Sequence, residues 1–246
     1  MNLMTPLQWL KTFVLPPRVQ RVDLKRRSLL TAGAAGVGAV LLVHTSAEGE
    51  GHTYHAELIR PPGSTTENEF LGKCIRCGEC MKVCPTNAVQ PAMSEGGIAA
   101  LWTPVLKMKM GYCEYECNLC SQVCPTHAIE LKTLEAKQAI RIGTAFFNKN
   151  RCLPYALART CIVCEEHCPT PRKAIWFEEV QVMTPTGAMA ALKQPRVNPD
   201  LCIGCGICEN KCPITDERGV HVTSVGETRN PKNQALLDGT LGYGGY

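Results

Sequence analysis

Sixteen cysteines fall into four runs of four, and each run is closed by a proline. The first is Cys74, Cys77, Cys80 and Cys84-Pro85; the second is Cys113, Cys117, Cys120 and Cys124-Pro125. The third is Cys152, Cys161, Cys164 and Cys168-Pro169; the fourth is Cys202, Cys205, Cys208 and Cys212-Pro213. No cysteine is left over. In a C-x2-C-x2-C-x3-C-P run, three thiolates on one tight loop reach three irons of a [4Fe–4S] cube. The fourth, turned away before the proline, ligates the other cube of a two-cluster ferredoxin. The sequence therefore predicts four [4Fe–4S] clusters with all sixteen cysteines as iron ligands, and single-electron chemistry.

Other uses of cysteine fit less well. Disulfides belong in an oxidising compartment, but they do not require four repeats of one spacing, each with proline. Structural zinc uses paired C-x2–4-C, often with histidine, and has no need of a third cysteine at x2. Haem attachment needs C-x-x-C-H, and His167 precedes Cys168 instead of following it. No H-E-x-x-H metal motif and no nucleotide-binding glycine loop is present. The chain carries no catalytic motif, so an electron-transfer subunit is expected rather than an enzyme in its own right.

The runs are not identical. Runs one and four keep the strict spacing, whereas Cys113-x3-Cys117 gains one residue and Cys152-x8-Cys161 gains six. Loops inserted beside a cluster alter its solvent exposure and hydrogen bonding, both levers on potential. Spacing alone leaves open which runs share cubes. Neighbours can pair, one with two and three with four. Nesting instead pairs like with like, one with four and two with three.

The elements around the runs repeat. Each run is followed by a β-like stretch: 86–89, 126–129, 173–176 and 219–222. The last two are also preceded by one, 145–148 and 195–198. Strand, cysteine loop, short helix and strand make the bacterial ferredoxin half-unit, here four times over. The expected fold is α+β: two bacterial-type two-cluster ferredoxin modules with an N-terminal apolar signal or anchor helix. Residues 93–106 and 131–140 read as short helices between runs.

Charge is uneven. The net charge is +4, but residues 1–47 carry six basic side chains against Asp23 alone, so the rest is slightly acidic. That excess gives no reason to expect nucleic acid as a partner. Lys25-Arg26-Arg27-Ser28-Leu29-Leu30 with the apolar run Leu29 to Val43 resembles a twin-arginine export signal. That route carries folded cargo, as a cluster protein bound for the periplasm requires. The apolar run falls short of the ~20 residues that span a bilayer comfortably, which leaves cleavage and retention as an anchor both open. The expected domains are 1–47 signal or anchor, 48–70 linker, 71–225 cluster body and 226–246 glycine-rich tail.

Together, the arginine pair, the proline-rich linker and C-I-R-C-G-E-C-M-K-V-C-P resemble the NapG/MauM ferredoxin-type proteins. The likeness includes Arg151-Cys152-Leu153-Pro154 and Cys161-Ile162-Val163-Cys164-Glu165-Glu166, and runs over about residues 20–225. The resemblance implies a membrane-associated periplasmic polyferredoxin. It would relay electrons between a membrane-embedded, quinol-linked redox protein and a periplasmic reductase or multihaem cytochrome. It also implies nested wiring. One cube would take Cys74, Cys77, Cys80 and Cys212, and a second Cys202, Cys205, Cys208 and Cys84. A third would take Cys113, Cys117, Cys120 and Cys168, and the last Cys152, Cys161, Cys164 and Cys124. Two other roles fit the same motifs: a maturation factor for a periplasmic redox enzyme, and the cluster subunit of a membrane molybdenum oxidoreductase.

Overall fold

The computed structural model describes residues 56–183, 187 and 189–234, together with Thr31, Gly33, Ala35 and Gly36, which are helical. The remainder of the expected leader, and the tail beyond 234, lie outside the described residues. Among the described residues no helix is long and apolar enough to cross a membrane. The chain divides into two compact units, Met1–Thr53 and Tyr54–Tyr246, and every element named below belongs to the second.

Short helices lie within and between the cysteine runs. They are α1 (Glu67–Lys73), α2 (Glu79–Lys82), α3 (Leu119–Gln122), α4 (Leu134–Gln138), α5 (Leu153–Ala156), α6 (Val163–Glu166) and α7 (Ile207–Lys211). Among the described residues six strands form three two-stranded sheets: β1 (Val89–Pro91) with β2 (Pro104–Leu106), β3 (Thr144–Phe147) with β6 (Val220–Thr223), and β4 (Ile175–Met183) with β5 (Met189–Val197). All three pairs are antiparallel.

The pairing reveals two copies of one plan. In the second module, the strand before run three (β3) pairs with the strand after run four (β6), Thr144 opposite Thr223. The strand after run three (β4) pairs with the strand before run four (β5). In the first module, β1 and β2 play the inner role, and the outer pair shrinks to a single bridge between Ser64 and Ile129. The N–H of Thr65 donates to Ala128 and that of Glu130 to Gly63 on either side of it. Each module thus closes on consecutive runs.

Two expectations change and a third holds over a shorter span. Residues 58–65, read as part of the linker, are buried in the body; the turn-rich Pro61-Pro62-Gly63-Ser64 masks the first module's outer pairing, because proline lacks the N–H of a longer ladder. Residues 93–106 do not form a helix. Gly96-Gly97 and Pro104 limit them to a 3-10 turn, Ile98–Ala100, and strand β2. Helix α4 does form, though only over five residues, with the Thr133 hydroxyl accepting from the Ala136 N–H at its start.

The start of the tail is also packed. Arg229 contacts Glu67 at 2.8 Å and Glu227 at 2.7 Å, and Glu67 contacts Arg60 at 2.5 Å. Arg60 is wholly buried, with its guanidinium 4.6 Å from the centre of the Phe70 ring. This network joins the two ends of the cluster body. Burial raises the Glu67 pKa, but the hydrogen bonds and charges of Arg60 and Arg229 outweigh it, leaving the carboxyl below its ordinary value.

One apolar core runs through both modules. Ile59, Phe70, Val89, Leu106, Met108 and Ile129 meet Ile142, Ala145, Ile175, Val220 and Val222. The modules also join through backbone. The Cys113 N–H donates to the Cys205 carbonyl at 2.8 Å. The Asn210 side chain donates to the Met108 carbonyl at 3.3 Å.

Candidate iron–sulfur centres

The cysteine loops differ in the way their spacing requires. In runs one and four, the residues flanking the second cysteine are left-handed: Arg76 (φ 56°) and Gly78 (φ 79°), Gly204 (φ 73°) and Gly206 (φ 80°). A tight C-x2-C-x2-C loop needs this reversal, and glycine adopts it at least cost. Runs two and three, with longer first intervals, enter their helices through Asn118 (φ −134°) and Ile162 (φ −124°) instead.

Four cavities collect the sixteen thiols four at a time. Quartet A is Cys74, Cys77, Cys80 and Cys124. Quartet B is Cys84, Cys113, Cys117 and Cys120. Quartet C is Cys168, Cys202, Cys205 and Cys208. Quartet D is Cys152, Cys161, Cys164 and Cys212. Their empty volumes, about 300 to 350 Å³, are close enough to suit one kind of occupant.

This grouping corrects the nested wiring. Each run lends its fourth cysteine to its neighbour: Cys84 goes with run two, Cys124 with run one, Cys168 with run four and Cys212 with run three. The physical reason is the strand pairing. The strand leaving run two returns to Ser64 beside run one, and β6 leaving run four returns to β3 beside run three. Cys124 and Cys212 are thereby carried onto their neighbours' loops. The two ends of the cluster body are joined instead by the Arg60–Glu67–Arg229–Glu227 network.

The donor sets suit iron–sulfur cubes. Every donor is a soft thiol. Among the described residues no three Cys, His, Asp or Glu side chains converge tightly enough to hold a single metal ion; the thiols line cavity walls, as ligands of a polynuclear centre do. Burial, reinforced by neighbouring thiols, pushes Cys80, Cys120, Cys152, Cys164 and Cys205 up to about 12. The same cause takes Cys113 to about 11 and raises Cys208 far above its ordinary value. Such thiols ionise only against a bound cationic centre, so loading expels protons.

The quartets form a row. Cys120 of B is near enough to Cys80 of A for their charges to interact. Cys205 of C interacts likewise with Cys113 of B, and Cys208 of C with Cys164 of D. The order is A–B–C–D, which follows runs one, two, four and three.

Residues beside the fourth cysteines were not anticipated. Runs one to three continue Cys-Pro-Thr, whereas run four continues Cys-Pro-Ile. Thr170 lies 3.3 Å from Cys168 Sγ, Thr126 3.8 Å from Cys124 Sγ and Thr86 3.5 Å from Cys84 Sγ. Thr170 accepts from the Ala174 N–H at 3.2 Å, so its own hydrogen is free for the sulfur. Thr86 has its hydroxyl 2.5 Å from the Tyr112 carbonyl, and that shorter bond takes the hydrogen. Backbone N–H groups also reach these sulfurs, from Ile129 to Cys124 at 3.4 Å and from Gly219 to Cys212 at 3.3 Å. The threefold Cys-Pro-Thr was the available signal.

Known proteins share the cysteine motifs. Residues 73–128 match the 4Fe-4S dicluster domain, which encloses runs one and two together, and residues 194–221 match a 4Fe-4S binding domain. The chain is 31% identical to a methylamine utilization ferredoxin-type protein MauM of Methylorubrum extorquens, over 86% of this chain and 96% of that one. It is 35% identical to the ferredoxin-type protein NapG of Escherichia coli, over 80% of this chain and 83% of that one. A ferredoxin-type protein NapF of Haemophilus influenzae is 30% identical over 63% of this chain and 75% of its own. With two [4Fe–4S]-type ferredoxin regions and these relatives over most of its length, the chain belongs to the NapG/MauM family of ferredoxin-type iron–sulfur electron-transfer proteins.

Proposed function

We propose that this protein is a four-cluster electron relay on the periplasmic side of the cytoplasmic membrane, exported folded by the twin-arginine route. It would link a quinol-linked membrane redox protein to a periplasmic reductase or cytochrome. The observation that carries the reading is the single row of four cysteine quartets. When bound, [4Fe–4S] clusters accept and release single electrons, and substrate chemistry rests with a partner.

The chain's own part is placement and insulation. Pairing of consecutive runs holds A beside B and C beside D. The Cys113–Cys205 backbone bond then sets B beside C, so no quartet is isolated from the next. Apolar side chains exclude water from the interior of the row: Phe70 and Ile129 at A, Leu106 at B, Ile175 and Val222 at C. Lys25-Arg26-Arg27 and the apolar run behind it support the export route.

The test uses membranes from cells that make the full chain, prepared without oxygen. Addition of a short-chain quinol should bleach the cluster absorbance at a rate matching turnover of the periplasmic acceptor. Intact clusters that stay oxidised while that acceptor turns over normally would contradict the relay and favour a maturation role.

A further inference from the structure

Between β1 and β2 the chain makes an excursion over residues 92–103. Its base is fixed: Ala92 donates to the Thr103 carbonyl and Trp102 to the Ala92 carbonyl, both at 2.8 Å. Its underside is buried, with Ala92, Ala100, Thr103 and Val105 all at 1% exposure or less. Its outer side carries Met93 (60% exposed), Ile98 (79%), Leu101 (36%) and Trp102 (60%). Arg76, in the run-one loop, donates to the carbonyls of Leu101 and Ala99 at 2.9 Å each. That bond brings Ile75, 62% exposed, to the same edge.

Trp102 has φ +65°. A bulky aromatic held in the left-handed region costs free energy, and here that conformation presents the indole to the outside. The edge also borders quartet A, whose cavity is lined by Ile75 and Arg76 and whose Cys77 is exposed.

We propose that this edge, Ile75, Met93, Ile98, Leu101 and Trp102, docks against the surface of a phospholipid bilayer and holds quartet A toward it. Two features identify a bilayer as the occupant. Aliphatic side chains with a tryptophan and an adjacent arginine are the composition that settles among lipid headgroups. The chain enters the body at Ala56, whose carbonyl accepts from the Ser224 N–H, and two residues later passes beneath this edge, where Leu58 packs against Gly96 and joins Ala92 and Val105 in one cluster. Twelve residues separate Val43, the end of the apolar leader run, from Ala56, a tether of at most about 45 Å. The inference rests on the reading that this leader stays in the membrane. A body so tethered meets the bilayer first at the face where its tether enters.

The test places p-benzoylphenylalanine at Ile98, at Trp102 or, as control, at Trp176 of the β4–β5 hairpin, in the otherwise intact full chain. Membranes of the producing cells are irradiated, as are vesicles of phosphatidylethanolamine and phosphatidylglycerol carrying the purified protein. Lipid adducts at 98 and 102, and none at 176, are expected in both. A protein adduct at 98 or 102 in cell membranes would assign the edge to a protein partner and overturn the proposal. So would the absence of any adduct. Cluster absorbance and its bleaching by quinol, read on the same samples, separate this result from the relay itself. Bleaching without lipid adducts sinks only the docking face; lipid adducts without bleaching sink only the relay.

Discussion

The two modules share a plan and differ in depth. By surface exposure only Cys80 of the first module's eight is fully buried, Cys77 is exposed and the other six are half-buried; in the second, Cys152, Cys164, Cys202, Cys205 and Cys208 are all fully buried. Sheet content accounts for much of this. The second module has a four-residue outer ladder and a nine-residue inner hairpin, where the first has one bridge and a three-residue ladder. Run four also packs against the first module through Cys205 and Asn210, so its loop is covered twice. Solvent access and hydrogen bonding set cluster potential. The same kind of thiol set would therefore hold a wet terminal centre at A and a sheltered one at C.

Removing one ligand from each depth gives the largest contrast. Cys208→Ala should abolish cluster C, removing about four irons per chain, and should lower the melting temperature, because it also opens a cavity in the core. At Cys77 the same substitution leaves a position that water can fill, so most of the iron should remain while the cluster's EPR signal changes. Equal iron loss from both variants would dissolve the contrast.

The equivalent glycines of runs one and four separate backbone strain from docking. Gly78→Ala, with φ 79° and nothing within 4 Å of an added Cβ, should cost about 1 kcal/mol. Gly206→Ala has the same strain and also overlaps Met108 of the first module. We expect it to cost roughly 2–4 kcal/mol in all, measured by thermal unfolding under anaerobic conditions.

The network that joins the chain ends has its own pH signature. Glu67 has a folded pKa below its ordinary value, so its contribution is complete above about pH 4.5 and is lost as pH falls through the folded value. Glu227 works the other way. Burial, only partly offset by Arg229, raises its pKa, so ionising it costs stability as pH rises through the folded value. Glu67→Gln should therefore destabilise by about 1–3 kcal/mol near neutrality, and the deficit should shrink in acid. A deficit that is constant with pH would show that the charge is not what holds the ends.

The smallest effect is electronic. A hydroxyl donated to a cluster thiolate stabilises the reduced state, so Thr170→Val should lower the midpoint of cluster C by roughly 40 mV, the equivalent of a hydrogen bond of about 1 kcal/mol. Thr170→Ser should retain it. Thr86→Val should shift cluster B less, since that hydroxyl is held by Tyr112. EPR-monitored redox titration reads both.

The chemistry was legible in the cysteines, because ligand type and interval are local properties of the chain. The pairing was not. All four runs end in the same x3-C-P, so nothing local says where the fourth thiol goes; β-strand partners tens of residues apart decide it. The strand that decides it for Cys124 lies behind Pro61-Pro62-Gly63, which reads as a loop. Val89, Ile129 and Val220 were found as strand residues because β-branched side chains follow each run. The nine-residue length of β4 and β5 escaped notice, since their exposed faces carry both Trp176 and Glu179 and show no clean alternation. Ionic closure by Arg229 was equally hidden, in a stretch whose composition suggests a loose tail.

The most direct test of the neighbour-paired row is an iron count on one double variant, Cys80→Ala with Cys124→Ala. Neighbour pairing places both thiols on the same cube, so the anaerobically prepared protein should fall from about sixteen to about twelve irons per chain, with sulfide in step. If the runs were nested, the two substitutions would strike separate cubes. About eight irons would then remain, and the account of the fold's wiring would be wrong.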